Sequence, residues 1–496
     1  MFDLAIIGGG INGVGIARDA VGRGLSVLLV EQNDLASGTS SASTKLIHGG
    51  LRYLEQGAFR LVREALAERE VMLRMAPHVI RPMRFVLPAH PGLRSALLLR
   101  IGLFVYDHLG GRKILPATTS LDLSDHALGM PLKPRFRRGF EYSDCWVDDA
   151  RLVVLNAVDA AERGAVIRTR TRCVRADRTD VWQLVLKAHG RRETVAAQVL
   201  INATGAWVEQ VAESVLRLPD RLPVRLVKGS HIVVPRLFDH DRGYIFQTGD
   251  RRVVFALPFA RDFTLIGTTD QNFIGNPAGA APTPEEITYL CRSAGEYFRE
   301  RVGLDQVVWT FAGVRSLHDD GSDRPEDVTR DYHLVLDARS RKAPLLTVYG
   351  GKITTYRKLA EAALSRLTHI FAMRRGWTAT APLPGGDFAH DALDALVEQT
   401  RHTWPFLTEN HARRLVRAYG TRVDRVLGGA ASMDDLGPRF GADLTAAEVR
   451  YLIAQEWAQN EDDVLWRRSK LGLRLAQEER AALGRFMAET VGVPAG

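Results

Sequence analysis

Near its N-terminus the chain reads Phe2-Asp3-Leu4-Ala5-Ile6-Ile7-Gly8-Gly9-Gly10-Ile11-Asn12-Gly13, and the larger inferences start there. Phe2 to Ile7 is a short apolar run, the pattern of a strand buried in a parallel sheet. Gly8, Gly10 and Gly13 then fall at G-x-G-x-x-G spacing. Val14 to Gly22 predicts a helix and Leu25 to Val30 a second strand, which Glu31 closes about 20 residues after the glycines. The order has a physical reason. Glycine permits a tight turn and lets backbone approach a pyrophosphate, the helix N-terminus offers unpaired N–H groups, and the acid accepts ribose hydroxyls. A Rossmann-like nucleotide site follows.

Two later segments bear on which dinucleotide. Val199-Leu200-Ile201-Asn202-Ala203-Thr204-Gly205-Ala206-Trp207 runs from a strand into a tight turn. Leu345-Leu346-Thr347-Val348-Tyr349-Gly350-Gly351-Lys352 does the same before a helix. An NAD domain completes its site within one contiguous unit. A chain that returns from several places suits FAD.

At these residues the sequence resembles the FAD-dependent glycerol-3-phosphate dehydrogenases, the respiratory kind that passes electrons to quinone. Ile7 to Asp19, followed by Arg23-Gly24, matches that family's first signature, and Gly350-Gly351-Lys352-Ile353-Thr354-Thr355-Tyr356-Arg357 its second. Thr39 to Glu55 is similar to the flavin-side loop and helix. Asp463-Val464-Leu465-Trp466-Arg467-Arg468-Ser469 resembles the C-terminal helical domain. Relatives with iron–sulfur partners or EF-hands depart from this chain, which has neither a CxxC pair nor a D-x-[DN]-x-[DN]-G loop. The resemblance is to the shorter bacterial respiratory form. It implies FAD contacts from Gly8, Gly10, Asn12, Gly13, Glu31, Thr39, Ser40, Ser43, Lys45, His48, Gly49, Gly50, Val174, Ala203, Gly205, Trp207, Gly351, Lys352 and Thr354.

The expected fold class is α/β: a discontinuous Rossmann-like FAD-binding domain (1–80, 145–215 and 310–375), an inserted antiparallel-sheet substrate cap (81–144 and 216–309) and a C-terminal helical domain (376–496). His231 to Val234, Val253 to Leu257 and Phe263 to Gly267 read as cap strands. Thr283-Pro284-Glu285-Glu286 is a capping box with proline at N1, and Thr445-Ala446-Ala447-Glu448 a second box. Val449, Leu452, Ile453 and Trp457 follow the latter as one core-facing stripe. Pro382-Leu383-Pro384-Gly385-Gly386 is a linker.

Composition bounds the class. The 496 residues are 46% hydrophobic and 25% charged, an ordinary globular balance. The net charge of +8 favours anionic partners such as phosphorylated metabolites or an acidic bilayer. Three scattered cysteines, Cys145, Cys173 and Cys291, fit a reducing cytoplasm, and no metal site is expected. No signal peptide is expected, because Phe2 to Gly10 already reads as fold. No apolar run reaches the length of a membrane span.

Oxidising an alcohol with a flavin moves a hydride to the cofactor and a proton to a base. A phosphate needs two or more cationic donors, best a guanidinium. Arg52, Arg315 and Lys352 are the candidates, the last also suited to negative charge on reduced flavin. His231 is the first choice as general base and His48 the second, since an imidazole titrates near working pH. Tyr53, Thr269 and Asp270 complete the expected substrate contacts. Leu97-Leu98-Leu99-Arg100-Ile101-Gly102-Leu103-Phe104-Val105-Tyr106, flanked by Arg94, Arg112 and Lys113, reads equally as a monotopic anchor or a buried cap helix. The expected partners are glycerol 3-phosphate, a ubiquinone-type acceptor and the inner face of the cell membrane, with no nucleic acid. The helical tail suits a homodimer contact, a lid or packing alike. Oxygen as acceptor, or an amino or 2-hydroxy acid as substrate, stays open.

Overall fold

The computed structural model describes residues 1–55, 57–90, 93–218, 222–250, 252–319, 331–338 and 342–491. The expected spans 216–309, 310–375 and 376–496 therefore include residues 219–221, 251, 320–330, 339–341 and 492–496 that lie outside the described residues.

The first sheet grows from the glycine motif. Phe2–Ile7 pairs in parallel with Val27–Val30 on one side and with Arg191–Asn202 on the other, placing Ile7 opposite both Val30 and Asn202. Leu345–Tyr349 and Val166–Arg168 extend it in parallel, and His333–Asp337 adds an antiparallel edge. Every residue of Val27–Val30 and Leu345–Tyr349 is buried, as strands covered on both faces require. Helices Ile11–Gly22, Asp149–Glu162 and Tyr356–Ser365 pack together over one face. Their close approach needs glycine: a Cβ on Gly15 would lie 2.7 Å from the Tyr356 ring. Buried pairs fix the helices, Arg18 donating to Asp159 at 2.6 Å and Arg357 to Glu68 at 2.8 Å. Removing one partner of such a pair costs about 3–5 kcal/mol.

Among the described residues the second sheet has ten strands and is mostly antiparallel, with one parallel pair between Gly243–Gln247 and Ile80–Pro88. Its centre is Val224–Pro235, paired with Phe263–Gly267 and with Trp309–His318. The sequence division put residues 310–375 with the cofactor sheet, but Trp309–His318 belongs to this one. Its ladder with Val224–Pro235 runs unbroken from Val224 opposite His318 to Val233 opposite Trp309. Arg138–Val147 likewise ends in this sheet beyond the expected boundary at 145. Helix Pro284–Tyr297 starts at the expected capping box and covers one face. Phe59–Met75 and Ala96–Leu109 cover the other.

Helices Leu393–Thr403, Glu409–Tyr419, Ala446–Glu456 and Gln477–Val491 enclose a third core, with Leu415, Val449 and Leu452 at its centre. The second capping box forms only halfway. Thr445 accepts from the Glu448 N–H, but the Glu448 carboxylate turns inward to Arg414 and the Tyr419 hydroxyl. Trp457 also departs from the stripe: it ends its helix in the left-handed region (φ 58°) and packs on the first core instead. The linker Pro382 to Gly386 is itself packed, the Leu383 N–H donating to the Met75 carbonyl.

Candidate active site

The parallel strands end together at Ile7, Val30, Asn202 and Tyr349, and a cavity of about 470 Å³ opens there. Open α/β sheets bind ligands outside the carboxyl ends of their strands, where connections diverge. Gly8 takes φ 116°, and a Cβ on it would sit 2.5 Å from the Ala203 carbonyl oxygen. A Cβ on Gly13 would meet the Gly8 carbonyl oxygen at 1.9 Å. The turn is fastened by Glu31, which accepts from Gly9 N–H at 2.7 Å and Asn33 N–H at 2.8 Å. Ser40 accepts from Ile11 N–H at 3.0 Å. Asn12 donates to the Gly350 carbonyl at 3.1 Å, joining the two signatures, and its Oδ1 is enclosed with no partner among the described residues. Backbone bare of side chains, a helix N-terminus and an acid at the second strand's end together fit a dinucleotide.

A loop from Gly38 to Gly50 crosses this cavity and is held from beneath. Asp149 accepts from the Ser43 hydroxyl and the Lys45 ammonium, both at 2.7 Å. Lys45 also donates to the Ser41 carbonyl and lies 4.9 Å from the Phe311 ring centroid. Burial pushes its pKa down, which the Asp149 carboxylate opposes. Tyr106 donates to Asp144 at 2.8 Å and accepts from the Gly49 N–H at the same distance. Arg69 completes that buried cluster at 2.7 Å from Asp144.

At the cap side His231 lies buried with its ring stacked on Phe311 (centroids 4.7 Å apart, planes 10°). Its Nε2 is 3.0 Å from the Thr44 hydroxyl, and Nδ1 is enclosed without a partner among the described residues. Thr44 also lines the cavity, so Nε2 is the edge presented to it. Burial first, then the charges of Lys45 and Arg315, hold the His231 pKa well below 6.5. This favours the neutral imidazole over its protonated form. His48 is neutral too, its pKa lowered to about 4 by burial, Lys352 and Arg69. Arg315, ion-paired with Asp270, and Lys352, 3.7 Å from the Tyr53 ring centroid, give this end positive charge.

A model of FAD dependent oxidoreductases matches residues 3–357, and one of the C-terminal domain of alpha-glycerophosphate oxidase matches 376–492. The glycerol-3-phosphate dehydrogenase of Pseudomonas aeruginosa is 52% identical over 98% of this chain and 95% of its own. The chain belongs to the FAD-dependent glycerol-3-phosphate dehydrogenase family. The D-erythritol 1-phosphate dehydrogenase of Brucella abortus is 51% identical over 97% of this chain and 96% of its own. Among solved structures, the Bacillus halodurans glycerol-3-phosphate dehydrogenase complexed with FAD superposes with a TM-score of 0.78 at 28% identity, covering 99% of this chain and 91% of that one. FAD is the cofactor of this family member.

Of the residues singled out from sequence, the cavity brings together Gly8, Gly10, Asn12, Glu31, Thr39, Ser40, Ser43, His48, Tyr53, Ala203, Gly205, Trp207, His231, Arg315, Gly351, Lys352 and Thr354. Others stand outside its lining. Gly13 is spent on the Gly8 contact, and Lys45 on Asp149. The Gly49 N–H goes to Tyr106, and Gly50 (φ 78°) turns the chain under Tyr53. Val174 sits at a bulge between Cys173 and Arg175, while Thr171, Arg172 and Cys173 of the same segment contribute to the lining. Thr269 is fully engaged, donating to Glu286 and accepting from the Ser230 N–H, both at 2.9 Å; Thr268 lines the cavity in its place. Asp270 stands behind Arg315, its ion-pair partner, and Arg52 lies on the turn Leu51–Leu54; neither is among the cavity-lining residues.

Sequence reading missed Asp149, Asp144, Thr44 and Glu286. Glu286 is buried and accepts from Ser230, Thr269 and Thr283 while pairing with Lys228 at 2.8 Å, so it fixes the segment that carries His231. The capping box was the visible signal for that residue, but it pointed to the helix rather than to the site.

Proposed function

We propose that this protein oxidises sn-glycerol 3-phosphate to dihydroxyacetone phosphate and delivers the electrons to a membrane quinone, working peripherally at the inner face of the cell membrane. The observation that carries the reading is that His231, with Nε2 at the cavity-lining Thr44, shares one cofactor cavity with Arg315 and Lys352. Bound in this cavity, FAD would supply the hydride acceptor for the alcohol's carbinol carbon. Arg315 and Lys352 anchor the phosphate, Arg315 kept in place by Asp270. His231 takes the hydroxyl proton at Nε2, where the substrate hydroxyl replaces Thr44 as its partner. Glu286 holds the His231 segment from behind. Arg315→Ala is expected to raise the substrate Kd roughly 10- to 100-fold, the loss of charge-assisted hydrogen bonds, with flavin reduction at saturation within a few-fold of wild type. Rapid-mixing spectroscopy separates the two. The domain division behind this reading keeps 1–80, 145–215 and 310–375 as the cofactor domain, less 145–147 and 310–318, which belong to strands of the second sheet.

The name of the Brucella relative favours a second substrate, a four-carbon polyol 1-phosphate. Comparing kcat/KM for glycerol 3-phosphate and erythritol 1-phosphate decides between them.

For the acceptor, a second cavity of about 310 Å³ shares Thr39, Ala42, Gly313 and Val314 with the first. Trp207, Trp309, Phe311 and Trp466 line it, which suits a flat apolar ring one wall from the cofactor. No helix among the described residues is long and apolar enough to cross a membrane. Helix Ala96–Leu109 instead buries Leu99, Leu103 and Tyr106 and turns Leu97, Leu98, Ile101 and Phe104 outward at 53–69% exposure. Arg100 and Lys113 are exposed beside it. An outward apolar face with basic neighbours supports docking on an anionic bilayer. Phe104→Asp is expected to cut co-sedimentation with anionic liposomes at low salt by roughly tenfold or more, while activity with a soluble dye acceptor stays unchanged. Equal pelleting of both proteins would contradict the anchor. Stoichiometric peroxide in air, with no reduction of a ubiquinone analogue, would make oxygen the acceptor.

A further inference from the structure

Two segments wall the end of the cavity where the acid Glu31 stands. One is Glu31 to Gly38, and the other is Thr171 to Cys173. By the physics of the glycine turn, this is the adenosine end of the cofactor. Neither wall is supported by the first sheet alone. Both are tied to one feature of the C-terminal helical domain, the wide π-type turn Asp463–Arg468. Such turns put side chains on one side that a regular helix would spread apart, and they recur at functional positions.

The ties are buried and charged. Arg468 forms a bidentate pair with Asp34 at 2.8 and 2.9 Å, each side chain fully buried. Arg467 donates to the same carboxylate. On the second wall, Arg170 donates to both oxygens of Asp463, at 2.7 and 2.9 Å. Asp463 also accepts from the Gln459 and Arg467 donors of its own domain. The walls are then joined to each other through backbone, Arg170 N–H to the Asn33 carbonyl at 2.9 Å and Thr171 N–H to the Glu31 carbonyl at 2.8 Å. Asp34 and Arg468 are 434 residues apart, so the chain returns its last helices to the loop that follows its first two strands.

We propose that the C-terminal helical domain is a clamp on the adenosine end of FAD, with Asp34, Arg170, Asp463 and Arg468 as positioning residues that set the two walls of that subsite. The proposal concerns cofactor retention and rests on FAD lying along Glu31, independently of which alcohol is oxidised. By linkage, whatever the ties contribute to wall geometry, bound FAD returns to the seating of the helical domain.

The test is FAD release from holoenzyme on dilution, followed by the fluorescence of free FAD. Arg468→Gln and the milder Arg170→Gln are compared with Arg422→Gln. Arg422 pairs with Glu162 at 2.6 Å, so it also joins the helical domain to the first core, but it touches neither wall. The clamp requires the FAD Kd to rise roughly tenfold or more in Arg468→Gln and Arg170→Gln and to stay within about twofold in Arg422→Gln. Where Arg468→Gln does not fold, Arg170→Gln alone decides, because Asp34 keeps both its arginines in that variant. Kd values unchanged at the walls, or raised equally by Arg422→Gln, would overturn the proposal.

Discussion

Replacing His231 by alanine is expected to slow reduction of the bound FAD by glycerol 3-phosphate roughly 10²- to 10⁴-fold, while the substrate Kd moves only a few-fold. The size follows from the role of a general base, which acts on a proton in flight and contributes little to ground-state binding. The imidazole is suited to this because burial, Lys45 and Arg315 keep it neutral. The sign of the pH dependence is fixed by that depression. A base with its pKa far below 6.5 stays active as pH falls through 6.5, and protonation removes it only under more acidic conditions. The His231-dependent part of the reduction rate is therefore flat between pH 8 and 6.5. A rate that halves near the ordinary histidine value, or His231→Ala with wild-type reduction kinetics, would remove this residue from the mechanism.

Gly13→Ala is expected to yield a protein purified without FAD. The added carbon would lie 1.9 Å from the Gly8 carbonyl oxygen, a backbone atom at the head of the same turn. Relief requires the turn to open, and with it the register that presents the helix N-terminus to the pyrophosphate. The loss is read as missing visible absorbance against protein at 280 nm. Gly102→Ala is the matching control: its new carbon meets nothing within 4 Å, and alanine in a helix is favoured over glycine by about 1 kcal/mol. A yellow Gly13→Ala protein would mean that the turn does not set cofactor binding.

These two residues also mark what the sequence makes legible. The glycine turn is written in contiguous residues, so its conformation, its helix and Glu31 could be read in order. The cap strands and the Thr283 capping box are local in the same sense. What escaped was decided by partners far along the chain. Lys45 stands among the expected FAD contacts, yet its ammonium is held by Asp149, 104 residues later. Thr269 and Thr268 are neighbours, and only the packing of Glu286 tells which one lines the cavity. Val174 stands at a bulge, which shifts the alternation of its strand by one residue. Trp309–His318 looks like cofactor-domain chain by position, yet its hydrogen bonds belong to Val224–Pro235. The apolar helix Ala96–Leu109 was ambiguous because both its faces are apolar, and only the fold determines which one is covered.

The central claim is that one cavity holds FAD and a phosphorylated alcohol in reacting contact. Anaerobic titration of the purified protein with glycerol 3-phosphate, followed in the visible flavin bands, tests it most directly. Bleaching with one dihydroxyacetone phosphate formed per flavin reduced is the expected result. A yellow protein whose bands persist under excess glycerol 3-phosphate would contradict the account.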